Sequence, residues 1–250
     1  MSEATQIWSH YLEDFRVGQH GEIGSTTIST SQPSTVAALG TVALLLSDHG
    51  VLNDLRWNFH APVRRGDRAR LTATVTRCRA GGDGWGLLHR HLVLTGQDDT
   101  MLGEGTGSFT MPTRQATPDE RHIRTDFGSV AWAELLCDNL EHNEDFVSAT
   151  RPMDGTIGFR CGDEEAHIRV YKGRIVEVGR STPAGPTFTV TGSELAWAEL
   201  AGAPRNDFIA RTMTSQFYAT GNAHEYVRFT KAVVSAWDSI RELAHRDAVR

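Results

Sequence analysis

Apolar and polar residues alternate through Leu55, Trp57 and Phe59, stop at Pro62, and resume after Gly66-Asp67 at Leu71, Ala73 and Val75. A period of two marks a half-buried strand, and a proline without an N–H interrupts its ladder. The pattern predicts strands over Leu55–Val63, Ala69–Arg79, Trp85–Thr95 and Met101–Met111. Gly81-Gly82-Asp83-Gly84 and Gln97-Asp98-Asp99 supply turns between them. Ahead of these, Asp14–Gly18 and Ile23–Ile28 read as a lead-in strand with a glycine turn. The segment Pro33–Leu46 is apolar on every side. Pro33 suits a first helical position, and Gly50 lies where a helix stops. A helix apolar all round has to be enclosed, so the expectation is a sheet curled about it. One helix beside long antiparallel strands is an α+β arrangement.

The second half has another order. Val130–Leu140 has the spacing of a short amphipathic helix. Strands are expected at Thr156–Cys161, His167–Val170, Ile175–Val178 and Phe188–Val190, and a helix begins at Ser193. The segment Asn222–His245 reads as one long helix. Asn222 with Glu225 three residues on makes a capping-box-like start, and Tyr226, Phe229, Val233, Trp237 and Ile240 form its apolar face. Between the halves, Pro112–Asp126 is polar and aperiodic. The expected division is a domain over residues 1–113, a linker over 114–126 and a second domain over 127–250.

Composition narrows the function classes. The chain has 250 residues, 39% of them hydrophobic and 22% charged, as expected of folded globular domains. Its net charge of −6 argues against nucleic acid or anionic lipid as partners, which call for a basic field. The three cysteines form no CxxC pair, so no thiolate metal site is readable, and no metal or cofactor is expected. The N-terminus carries no signal-peptide pattern, and the apolar run Val36–Leu46 is too short to span a bilayer; a cytoplasmic protein is expected.

Two stretches carry family resemblances. Tyr-Leu-Glu-Asp-Phe-Arg-Val-Gly-Gln from Tyr11, and Phe59-His60-Ala61-Pro62-Val63-Arg64-Arg65-Gly66-Asp67, resemble MaoC-like hotdog domains. The latter matches their F-x-x-PV-x-x-GD strand. The resemblance implies a sheet wrapped round the Pro33–Leu46 helix, pairing as a homodimer, and acyl-thioester ligands. Gly155-Thr156-Ile157-Gly158-Phe159, the strand pair about Lys172-Gly173, and Phe217–Asn222 leading into the last helix resemble sterol-carrier-protein-2-like domains. Members of that family hold a lipid in an apolar cavity roofed by helices.

The first resemblance departs from its family at the catalytic segment. MaoC-like hydratases place an Asp and a His ahead of the helix in a GD-x-NP-x-H pattern, for acid–base work on the acyl chain. Here only Ser29–Gln32 separates strand from helix. A second alignment sets Asp48 on the aspartate, but Asn53 then stands at the histidine and exchanges no proton near neutral pH. His49 beside Asp48 is an alternative imidazole, more simply read as a favourable partner for a helix C-terminus. Asp48 and His49 are thus the catalytic candidates, with no complete dyad.

The ligand-binding candidates are the first-turn amides of Ser34, Thr35 and Val36, whose free N–H groups face a thioester carbonyl in hotdog folds. Trp57 and Phe59 on the strand face and Trp237 on the last helix complete the set. His89 and His91 share one strand face, with metal geometry but no readable third ligand, so a solvated face is the simpler reading. His60 faces either a dimer seam or a pocket. Cys137 and Cys161 sit at core-patterned positions. The expected function is binding of a hydrophobic acyl thioester, polyketide or sterol-like ligand. An atypical acyl-thioester dehydratase, isomerase or thioesterase, and a non-catalytic subunit of a MaoC-like complex, are the alternatives.

Overall fold

The computed structural model describes residues 10–29, 34–46, 50–114 and 119–246. It divides between Asp119 and Glu120 into two compact units, each α+β.

The first unit opens with a 3₁₀ turn, Leu12–Asp14, where a strand was expected. The Asp14 carboxylate accepts the Tyr11 N–H at 2.9 Å and closes that turn, so strand β1 starts only at His20 and runs to Thr27. Helix α1 (Ser34–Leu46) follows, then β2 (Val51–Phe59), β3 (Arg68–Ala80), β4 (Trp85–Thr95) and β5 (Met101–Pro112). All pairings are antiparallel and the order is β1-β3-β4-β5-β2, which leaves β2 on an edge. Pro62 ends the ladder earlier than expected, so β2 spans Val51–Phe59 and not Leu55–Val63. His60 and Ala61 still donate to the Leu102 carbonyl, and pairing then ends. Asp83 and Gly84 both take positive φ (61° and 80°), the twist a tight hairpin between β3 and β4 requires.

Leu71, Val75, Leu88, Leu92, Leu94 and Phe109 line one face of this sheet and are buried with Ala37, Ala38, Val42 and Leu46 of α1. The helix is not enclosed, contrary to the expectation. Val36, Leu39 and Leu44, spaced as one helical stripe, are 48%, 38% and 63% exposed. The sheet covers one side of α1 and leaves the opposite side exposed.

The second unit runs α2 (Glu120–Arg124), α3 (Val130–His142), α4 (Glu144–Thr150), β6 (Asp154–Cys161), β7 (Glu164–Tyr171), β8 (Arg174–Gly179) and β9 (Phe188–Gly192). It closes with α5 (Glu194–Gly202), α6 (Phe208–Met213), β10 (Phe217–Gly221), α7 (Ala223–Arg228) and α8 (Thr230–His245). Sheet order is β10-β9-β6-β7-β8, with β6 and β9 parallel and the other pairs antiparallel. Two boundaries differ from expectation. The segment 114–126 is not a plain linker: Arg114 pairs with Asp14 at 2.6 Å, and α2 buries His122. The last helix is two helices. Phe229 leaves helical geometry to bury its ring, and the Thr230 hydroxyl donates to the freed carbonyls of Tyr226 and Val227. The Asn222 cap is present, its side chain accepting the Glu225 N–H at 3.1 Å.

Candidate functional site

The strongest site geometry in the first unit lies where β5 meets β2. Gly103, Gly105 and Gly107 of β5 stand opposite Phe59, Trp57 and Leu55 of β2, on the same face as the buried leucines of β4. The glycines are a requirement of packing. A Cβ on Gly103 would lie 2.6 Å from Trp57 Nε1, and one on Gly105 would lie 2.1 Å from the Arg56 carbonyl and 2.8 Å from Trp57 Cε3. The Trp57 indole therefore lies flat along a side-chain-free trough. Its Nε1–H is buried without an acceptor among the described residues. Trp57 is half-buried and Phe59 is 43% exposed, so this stretch of apolar face is only partly covered.

The other candidates fall as follows. Ser34, Thr35 and Val36 form the first turn of α1, with Thr35 and Val36 exposed. The first four N–H groups of a helix have no intrahelical acceptor. Asp48 and His49 lie outside the described residues. Asn53 is engaged with Thr110: its Nδ2 reaches the Thr110 Oγ1 at 2.9 Å, and that hydroxyl is 3.1 Å from Asn53 Oδ1. The structure thus brings Trp57 and Phe59 together on one face and places Trp237 in the other unit.

Opposite the trough, sequence reasoning missed a cluster. Glu104 contacts His60 at 3.1 Å and His91 at 3.4 Å, through its two carboxylate oxygens. This gives His60 and His91 a shared partner that spacing alone does not reveal, because it is assembled from β4, β5 and the end of β2. Among the described residues, no group of three His, Cys, Asp or Glu side chains is placed to hold a metal ion.

In the second unit Trp237 is wholly enclosed. Its ring centroid lies 4.5 Å from that of Trp197, 5.1 Å from Phe217 and 5.6 Å from Phe208. A ligand reaches this indole only by displacing other rings. Cys137 and Cys161 are in the core as patterned. Burial and the nearby carboxylates of Glu141, Asp138 and Glu134 push the Cys137 thiol up to about 12, so it stays protonated. A cavity of about 330 Å³ opens between α3 and α8, lined by Asp138, Asn139, His142, Asn143, Ser239 and Glu242. Every lining residue is polar, which suits water better than an acyl chain.

A second polar network was also missed. His167, nearly buried on β7, accepts the Thr182 N–H on Nδ1 at 3.1 Å, which leaves the Nε2 proton to donate to Glu165 at 3.0 Å. Glu165 also accepts from Thr189 at 3.0 Å and from Arg160 Nε at 2.8 Å. Burial alone would raise the Glu165 pKa, but hydrogen bonds from Arg160, His167 and Thr189 outweigh it and hold it below the usual carboxylate value. A depressed folded-state pKa stabilises the fold above the unfolded value, and that contribution fades as pH falls through the folded one. Glu165→Gln should therefore lower the urea midpoint at pH 7 and flatten its decline below about pH 4.5. Midpoints measured from pH 7 to pH 3 check this; parallel curves for the two proteins would refute it.

No family model matches the chain, and no curated protein matches it. Among solved structures it is similar to sterol carrier protein 2 at 13% identity, covering 46% of this chain and 96% of that one with a TM-score of 0.40. It is also similar to the MaoC-like dehydratase from Rhodospirillum rubrum, at 13% identity over 43% of this chain and 99% of that one, TM-score 0.38. A third similar structure is the unliganded (R)-hydratase from Pseudomonas aeruginosa, at 13% identity over 42% of this chain and 86% of that one, TM-score 0.32. Each likeness spans less than half of this chain.

Proposed function

We propose that this protein binds a hydrophobic acyl ligand, such as an acyl thioester, a polyketide or a sterol-like molecule, without a complete hydratase dyad. The observation that carries the reading is the half-covered apolar face of Leu55, Trp57 and Phe59, with the Trp57 indole seated over Gly103 and Gly105. Apolar burial along it supplies affinity at about 0.8 kcal/mol per methylene, and few polar groups are needed. The first-turn amides of Ser34, Thr35 and Val36 are the proposed receivers of a carbonyl oxygen. Asn53, tied to Thr110 on the edge strand, offers no proton-exchanging group.

The same reading makes the working form a homodimer joined through the first unit. Support comes from the exposed stripe Val36, Leu39 and Leu44, and from the apolar Val51 and Leu52 exposed on edge strand β2. Exposed apolar stripes and unpaired strand edges are the usual marks of a surface meant to be covered. Native mass spectrometry of gently purified protein tests the ligand part. The expected spectrum shows an added mass that organic extraction identifies as an acyl lipid or polyketide. A bare spectrum, together with no displacement of a fluorescent fatty acid, would sink it.

A further inference from the structure

Arg90 sits mid-strand on β4, paired between Val75 and Gly107, on the face that carries Leu88, Leu92 and Leu94. Alternation alone marks it: an arginine occupies the core phase of an otherwise apolar ladder. It is 3% exposed. Its guanidinium carbon lies 4.7 Å from the Phe15 ring centroid and 5.2 Å from that of Phe109. Gly107 makes the second contact possible, because a Cβ there would meet the Phe109 ring at 3.0 Å. Both rings attract the cation and neither accepts an ordinary hydrogen bond. Nη1 is buried with no hydrogen-bond partner among the described residues. Burial draws the group down to about 10, so it remains charged at neutral pH. A buried charge with no carboxylate facing it among the described residues carries a heavy desolvation cost, because buried charges are normally paired.

We infer that Arg90 is the receptor for the carboxylate of an apolar-tailed acid that enters beneath Phe15. Phe109 is fully buried, whereas Phe15 is only half-buried and belongs to the lead-in segment, so the Phe15 side is the approach. One guanidinium among apolar walls offsets one negative charge, which fits a carboxylate better than a dianionic phosphate. Val75, paired across from Arg90, and Leu92, two residues along the same strand face, favour an apolar tail. The inference rests on the acyl-binding reading for that tail, and adds the free acid as the head group.

The test compares dodecanoate with its methyl ester at pH 8 by calorimetric titration of the full chain and of Arg90→Met. Wild type is expected to bind the acid about tenfold or more tightly than the ester, the gain typical of a charge-assisted hydrogen bond. Arg90→Met is expected to bind both alike. Equal binding of acid and ester by wild type overturns the role of Arg90 and leaves the acyl reading standing. Binding of neither removes both. A preference that survives in Arg90→Met also overturns it. Should that variant fail to fold, the wild-type comparison decides alone.

Discussion

Trp197→Ala is expected to cost the second unit about 3–5 kcal/mol of unfolding free energy, the range for deleting a large aromatic from a packed core. The Trp197 ring is fully buried among Phe127, Trp132, Phe159, Phe217 and Trp237, with centroid separations from 4.5 to 6.4 Å. Its Nε1–H donates to the Arg160 carbonyl at 2.9 Å and ties α5 to β6. Alanine would leave a void against α8 and remove that hydrogen bond. With total stabilities of roughly 5–15 kcal/mol, such a loss approaches unfolding. Trp197→Phe keeps most of the packing and loses the hydrogen bond, so about 1–2 kcal/mol is expected. Urea titration followed by far-ultraviolet circular dichroism reads both. A cost below about 1 kcal/mol for the alanine variant would show that the ring cluster is not the packed centre described.

The double substitution Leu39→Glu with Leu44→Glu should split the proposed dimer and leave the protomer folded. Both side chains lie on the exposed stripe of α1, away from the buried Ala38 and Val42. Burying a large aliphatic side chain yields about 1.5–3 kcal/mol, and a two-fold interface counts each change twice. The association constant should therefore fall by at least about a hundredfold, before any repulsion between the new carboxylates. Sedimentation equilibrium reads the association and a thermal melt reads the fold. Wild type that stays monomeric at 100-fold the loading of the dilute sample, or a variant that dimerises unchanged, would refute the pairing.

Strands β3, β4 and β5 of the first unit were legible because alternation is local, whereas β2 starts and ends four residues before the expected Leu55–Val63. Trp85–Thr95 has the bounds that its pattern and flanking turns predict, and β3 and β5 differ by a residue or so. What escaped depends on contacts distant in sequence. The helices α4 and α6 are seven and six residues long, too short for a period to emerge, and each is held by one buried ring, Phe146 or Phe208. The break at Phe229 answers a demand of the core rather than of helix propensity. Pro33–Leu46 reads as a helix to be enclosed because its residues carry no polar side; coverage from one side only becomes visible once the sheet is placed. The site follows the same division. Trp57 and Phe59 were marked by their strand phase, whereas the glycine trough beneath them depends on which strand lies alongside. Glu165 with His167, and Glu104 with His60 and His91, are partnerships that register creates.

The central claim is that an acyl chain is bound by burial of its methylenes. Calorimetric titration of wild type with fatty acyl thioesters of increasing length tests this most directly. The expected result is a saturable stoichiometry of one ligand per chain, with affinity rising about fourfold for each added methylene until the exposed apolar face is covered. Affinity independent of length, or uptake that never saturates, would contradict it.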